Sequence, residues 1–444
     1  MKKIFIILFS LALIQRSFAQ DSTTKKLDEL LQAYHDVGKF NGSALVAQHG
    51  KILLQKGYGF KNIKTGTLND ENTIYQIASI TKQFTATVVL KLIELNKLAL
   101  TDKLSKFYPS LPFGDSITIQ NLLTHTSGIT DHAEDTSASP FNSTNEDKLL
   151  YFVKKHGLDF SPGSNWQYSN KGYQFLGYII QKVSGISYYD AVKKYIFTPL
   201  KMSNSAFDFT NLVSNEKATG YWEFPLDSSA APATLIDSSG PFSAGSIYST
   251  VGDMYKWHRG LQSYKIVSKA SLDKAYTPYK NHYGFGVSVD SSYNKRIIHH
   301  GGDIWGFKSD FARIVEDDDC VVLLNNIEDP DLGVTTHRLL AIICNQPYLM
   351  PAKNKVPLND SALQKYAGSY EMQPGMVIEV TAENGHLMAM TDHKQELYAQ
   401  ENEVFIAESG DNQQQIRFGL DETGNVANLY FYKGGNKIVC KKIK

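Results

Sequence analysis

The chain has 444 residues, 42% hydrophobic and 12% aromatic, with 45 basic and 45 acidic side chains. So apolar and weakly charged a composition excludes a disordered chain, and the length fits about three domains or one large α/β core with a small appendage. The charge balance and the lack of a basic stripe argue against a nucleic-acid partner. Residues 1–19, MKKIFIILFSLALIQRSFA, carry Lys2, Lys3 and Arg16 and no acid around an apolar run from Ile4 to Ile14, and end small-x-small at Ser17 and Ala19. They read as a signal peptide, so the protein is expected to be exported, periplasmic or secreted, with a mildly acidic chain after cleavage. No later apolar stretch reaches about 18 residues, which predicts no integral membrane segment once the signal is gone.

An amphipathic helix is expected from Lys26 to about Val37, with Leu27, Leu30, Leu31 and Tyr34 on one face. Strands follow near Ser43 to Gln48 and Lys51 to Phe60, then a strongly helical segment from Ile80 to Leu95. Tyr173 to Val183 and Tyr188 to Phe197 read as helices parted by the Gly185 stop signal. From Tyr283 to Ile327 the pattern turns to β-rich runs, YGFGVSV, RIIHH, FKSDFARIV and CVVLLNNI, and a helix closes the region at Val334 to Cys344. Strands at both ends with helices between predict one sheet built from distant parts of the chain and an inserted helical subdomain. Residues 346–360 hold prolines without any period and read as a linker. Residues 361–444 alternate short β runs with Gly, Asn and Asp turns and predict a small all-β barrel or sandwich. Cys320, Cys344 and Cys440 lie far apart without metal-ligand spacing, and read as buried thiols.

Three segments could carry chemistry. Ser79-Ile80-Thr81-Lys82 precedes the strongest helix, so Lys82 lies one turn on from Ser79 and its amine can reach the Ser79 oxygen. A serine alcohol needs such a base to become a nucleophile, although the same spacing also describes a helix cap with a solvated lysine. Tyr168-Ser169-Asn170 offers a tyrosinate that could act as general base and an amide that could bind lysine and substrate, against the plain reading of a packed aromatic. His300-Gly301-Gly302-Asp303 ends a β run, where glycines let a substrate backbone approach; His299 fits the same pattern, and in a strand only one of the two histidines faces a cleft. Trp305 reads as a stacking surface or a packed aromatic. Asp131, His132, Glu134 and Asp135 lie in a polar stretch without a metal-binding helix motif, so no metal site is expected.

These elements, in this order, resemble the serine β-lactamase and penicillin-binding protein superfamily, with its S-x-x-K, Y-x-N and K-T-G or H-x-G motifs, and within it the class C-like branch. LLTHTSGI at Leu122 to Ile129, GSIYSTVGDM at Gly245 to Met254 and YGFGV at Tyr283 to Val287 look like further signatures, and YAGSYE at Tyr366 opens a tail similar to a lipocalin-like β-domain. The resemblance implies an α+β fold, an antiparallel sheet with a helical subdomain, over residues 20–345, followed by the small barrel. It implies Ser79 as acylated nucleophile, Lys82 as the amine sharing its proton and Tyr168 as general base, with no metal or cofactor. Asn170 and His300 would position substrate, and Gly302 and Asp303 would line the oxyanion side, the Ser79 and Asp303 N–H groups holding the oxyanion. A neutral His300 beside Asp303, where relatives place lysine and a small neutral residue, implies weak binding of carboxylates. The expected substrates are small molecules or peptidoglycan-derived D,D-peptides, D-amino-acid amides or esters, with at best weak β-lactam hydrolysis. The alternatives are a non-hydrolytic penicillin-binding sensor, a true class C-type β-lactamase, or a role carried by the tail as a carbohydrate or lipid binder.

Overall fold

A computed structural model describes residues 22–131, 146–223, 230–328, 332–348, 350–351 and 360–444, the last without 384, 391–393, 400–403, 408–413 and 434–435. The signal-like residues 1–19, most of the linker, and His132, Glu134 and Asp135 lie outside the described residues. The chain divides into two compact units, the second beginning at Gly333.

In the first unit a helix at 22–36, α1, leads into β1 (Gly42–Gln48) and β2 (Lys51–Tyr58). The sheet is completed by β3 (Ser288–Ser292), β4 (Lys295–Ile304), β5 (Phe307–Ile314) and β6 (Asp319–Asn325), in the order β2-β1-β6-β5-β4-β3. Every pairing is antiparallel, and β1 meets β6 with Gly42 opposite Asn325, so the two ends of the unit are stitched into one sheet. β6 is buried along its whole length and β1 nearly so, which is why their sequences are continuous apolar runs rather than alternating ones.

The inserted helices include α2 (Thr81–Glu94), α3 (Ile119–Leu123), α4 (Glu146–His156), α5 (Asn170–Ser184), α6 (Val251–Gln262) and α7 (Lys269–Ala275). α2 is buried on nearly every side from Thr81 to Leu92, which makes it the central pillar of the core. Phe84 of α2 stacks on Trp257 of α6 at 4.3 Å between ring centroids. Gly185 ends α5 in the left-handed conformation, as the stop signal predicted. Two expectations differ. The segment Tyr188–Phe197 is α-helical only to Val192 and continues as a π turn, Lys193–Phe197. YGFGV is not strand: Gly286 has φ 71, and a Cβ there would lie 2.6 Å from the Lys82 carbonyl oxygen, so the segment turns against α2 before β3 begins.

In the second unit α8 (Leu332–Ile343) precedes eight strands, β7 (Gly368–Gln373) to β14 (Asn436–Lys442), paired in consecutive order and closed by β7 against β14. Closure removes free edges. Tyr366, Tyr370, Phe405 and Phe418 meet in its core, with centroids 4.8–5.6 Å apart. The three cysteines are free thiols, Cys320 and Cys440 buried. Among the described residues no helix is long and apolar enough to cross a membrane.

Candidate active site

α2 rises from a 3-10 turn, Ala78–Ile80, that carries Ser79. Ala78 has φ 45, a left-handed conformation costly for a residue with a Cβ, and such strain persists only where neighbours enforce it. Ile77 N donates to Ile247 O at 2.9 Å and Ser309 Oγ donates to Ile77 O at 2.9 Å, which clamps the turn from both sides. β4 comes so close that a Cβ on Gly302 would lie 2.3 Å from Ile77 O and 2.2 Å from Ser309 Oγ. Gly302 therefore faces the turn and sets the distance between strand and serine.

Lys82 is fully buried, and its Nζ donates to Ser79 Oγ at 3.0 Å, Asn170 Oδ1 at 2.8 Å and the Ala244 carbonyl at 2.9 Å. Burial lowers its pKa to about 7, against the opposing charge of Asp131. An ammonium has three donors and no lone pair, whereas a neutral amine has two donors and one lone pair. The amide and carbonyl oxygens can only accept, so on losing a proton the amine keeps those two bonds and turns its lone pair to the Ser79 hydroxyl.

Tyr168 is half-buried and hydrogen-bonded to Ser79, with Lys82 Nζ 4.6 Å from its ring centroid. Burial pushes its hydroxyl above the usual phenol range, outweighing the help of Ser79, and Asp131 pushes the same way. Burial thus favours a neutral Lys82 amine and a protonated Tyr168 phenol beside Ser79. The sequence suggested the opposite charge pattern, a tyrosinate beside an ammonium.

The Tyr168–Asn170 segment is held by the LLTHTSGI segment. His125, with φ 56, accepts from Ser169 N through Nδ1 at 3.1 Å, and its carbonyl accepts from Gln167 N at 3.0 Å. Its ring lies 4.3 Å from Tyr168, 4.6 Å from Tyr283 and 5.0 Å from Tyr173, and burial keeps it neutral. GSIYSTVGDM follows the 3-10 turn Phe242–Ala244 that presents the Ala244 carbonyl, and within it Thr250 caps α6.

β3 pairs with β4 only from Lys295 to His299, so among the described residues the edge from His300 to Ile304 has no strand partner on that side. His300 points to the Ser79 side, 7% exposed, with its ring 6.1 Å from Tyr168. Its Nδ1 donates to the Gly301 carbonyl at 2.6 Å, so Nε2 accepts from the Tyr283 hydroxyl at 2.9 Å. Burial, then the Lys82 charge, lowers its pKa to about 3. His299 faces the other way, 2.7 Å from Asp290, whose carboxylate raises its pKa despite burial. Asp303 is exposed and accepts from Lys308 Nζ at 2.5 Å, directly opposite in register. Its charge is balanced outside the cleft, so the weak carboxylate affinity expected from an acid at this position has no support in Asp303 itself. Trp305 packs with Trp222, centroids 5.7 Å apart, at the hairpin end.

Sequence reading missed Asp131, His125, Tyr283 and the Ala244 carbonyl. A carbonyl leaves no side-chain signal. Asp131 lay among acids that suggested only a polar loop, yet its side chain reaches the start of α5.

Residues 27–344 match the family model Beta-lactamase, and residues 352–439 the model described as Domain of unknown function (DUF3471). The lipocalin-like likeness of the tail therefore rests on its closed eight-stranded meander alone. A penicillin-binding protein of Bacillus subtilis (strain 168) is 29% identical over 396 residues, covering 82% of this chain and 86% of the relative. A teichoic acid D-alanine hydrolase of Staphylococcus aureus is 29% identical over 250 residues, 56% of this chain and 60% of the relative. The octameric penicillin-binding protein homologue from Pyrococcus abyssi has the same fold, with TM-score 0.66 at 23% identity over 94% of this chain and 99% of that one. The chain belongs to the beta-lactamase family and is a serine hydrolase related to the penicillin-binding proteins.

Proposed function

We propose that this protein is an exported acyl hydrolase working through an acyl-enzyme on Ser79. The observation that carries this reading is the buried Lys82 amine, held by two oxygens that only accept, with the Ser79 hydroxyl as its third partner. Neutral Lys82 takes the Ser79 proton as Oγ bonds to the substrate carbonyl carbon. The Ser79 and Asp303 N–H groups hold the oxyanion, and Tyr168 gives its proton to the leaving amine or alkoxide as the carbonyl re-forms, the Lys82 ammonium replacing it so that both groups end neutral. Water then adds to the acyl-enzyme, giving its proton back through the same pair, and Ser79 leaves.

The substrate end is neutral: His300 carries no charge, Gly301 has no hydroxyl, and Lys308 is occupied by Asp303. This favours D-amino-acid amides, esters or D,D-peptides bound by neutral groups over β-lactams that need a cation for their carboxylate. The Staphylococcus relative, named for hydrolysing D-alanine from teichoic acid, agrees with such a preference. The test compares wild type with Ser79→Ala on nitrocefin, benzylpenicillin, an acyl-D-Ala-D-Ala peptide, a D-amino-acid p-nitroanilide and a short-chain p-nitrophenyl ester. Turnover of the amide or ester, lost in the variant, with poor penicillin hydrolysis is expected. Efficient Ser79-dependent penicillin turnover would make it a true β-lactamase; a stable Ser79 adduct with no product from any substrate would make it a sensor.

A further inference from the structure

The start of α5 is gripped by an acid that takes no part in the steps above. Asp131 Oδ2 accepts from Asn170 N at 2.5 Å, and Oδ1 accepts from Lys171 N at 3.1 Å and from Ser169 Oγ at 3.3 Å. Ser169 Oγ in turn accepts from Gly172 N at 3.1 Å, so the first three N–H groups of α5 all find an oxygen. The Asp131 side chain is 12% exposed, with the Lys171 ammonium 3.5 Å away. The residue whose backbone it holds most tightly, Asn170, is the one whose side chain accepts from Lys82.

Around the Lys82 amine stand the Ser79 hydroxyl, Tyr168 and Tyr173, the Asn170 amide, the Ala244 carbonyl, and His125 and His300. Burial keeps both histidines neutral and both tyrosines protonated. Among the described residues Asp131 is therefore the negative charge acting on the amine, partly offset by Lys171. We propose that Asp131 is a positioning residue for the Ser79–Lys82 pair: its hydrogen bonds aim Asn170 at the amine, and its charge biases the amine toward the protonated form. This rests on the reading of Ser79 as nucleophile and Lys82 as its base.

The test uses the full chain and follows the pH dependence, from about 5 to 9, of Ser79 phosphonylation by a fluorophosphonate and of p-nitrophenyl ester hydrolysis. Thermal melting reports folding. Reactivity rises with pH as Lys82 loses its proton, so removing the acid moves that limb to lower pH. For Asp131→Asn the expected shift is about half a pH unit, roughly threefold in relative rate on the acid side, with a plateau about tenfold lower because Asn170 is held less well. Asp131→Glu, which keeps the charge and displaces it, should keep the limb and lose plateau. A limb unmoved in Asp131→Asn reduces the residue to a structural cap and overturns the proposal, as does a wild-type plateau in Asp131→Glu if the Asn variant does not fold. Wild type that is not labelled at Ser79 overturns both this proposal and the functional reading; labelling with an unmoved limb overturns this one alone.

Discussion

Lys61 and Lys82 are both buried in the first unit, and they are held by opposite chemistry. Lys61 Nζ lies 2.5 Å from Glu216 and 3.5 Å from Asp70, so its charge is met by charge. Lys82 touches a hydroxyl, an amide oxygen and a peptide oxygen, and its nearest influential acid acts through a neighbouring residue. Burial alone does not make a lysine a base. Burial among neutral acceptors does, because the ammonium loses its water and gains no full counter-charge.

Swapping the two environments tests the contrast. The largest effect is expected from Lys82→Met, which should cut ester hydrolysis about a thousandfold. It should also stabilise the protein at pH 7, on the order of 1–3 kcal/mol by thermal or denaturant melting. The sign follows from linkage: with a folded pKa of about 7, below the unfolded lysine value, the unfolded state binds more protons at higher pH. Wild-type stability relative to Lys82→Met should therefore rise from about pH 7 to about pH 10, closing the gap. A variant less stable at every pH contradicts the neutral-amine account.

Asn170→Asp gives Lys82 a carboxylate of the kind Lys61 has. The ester-hydrolysis limb should move up by about one pH unit, with about fivefold less activity at pH 7 and recovery toward pH 9. Loss without recovery at high pH would mean that Asn170 serves the substrate more than the amine. The smallest effect belongs to Lys61→Met. Asp70 and Glu216 are about two-fifths exposed and can turn to water, so the cost should be about 1–2 kcal/mol of stability with the pH limb unchanged.

The motifs with chemically distinctive side chains were legible in the sequence, because Ser79, Lys82, Tyr168, Asn170 and His300 each mark a local pattern. So was the sheet made from distant strands, since the change from helical to β patterning after Tyr283 shows along the chain. Pairing was not. Whether His299 or His300 faces Ser79 depends on β4 lying between β3 and β5. Lys308 balances Asp303 only because the hairpin register sets them opposite each other. Asp131 caps a helix 38 or more residues away, a relation no local window contains. The opposite pKa shifts of Lys82 and Tyr168 come from burial, which residue type alone does not report.

The half-open edge of β4 has a cost outside catalysis. A strand edge without a partner invites pairing with another chain, and here it lies beside the strained turn that carries Ser79. Three devices keep it from becoming an aggregation seam. The open stretch is only His300 to Ile304, Gly301 and Gly302 give it little intrinsic preference for strand pairing, and the Asp303–Lys308 ion pair sets two charges at its far end. Gly302, which brings the strand close to the serine, therefore also helps keep the folded molecule from pairing edge to edge.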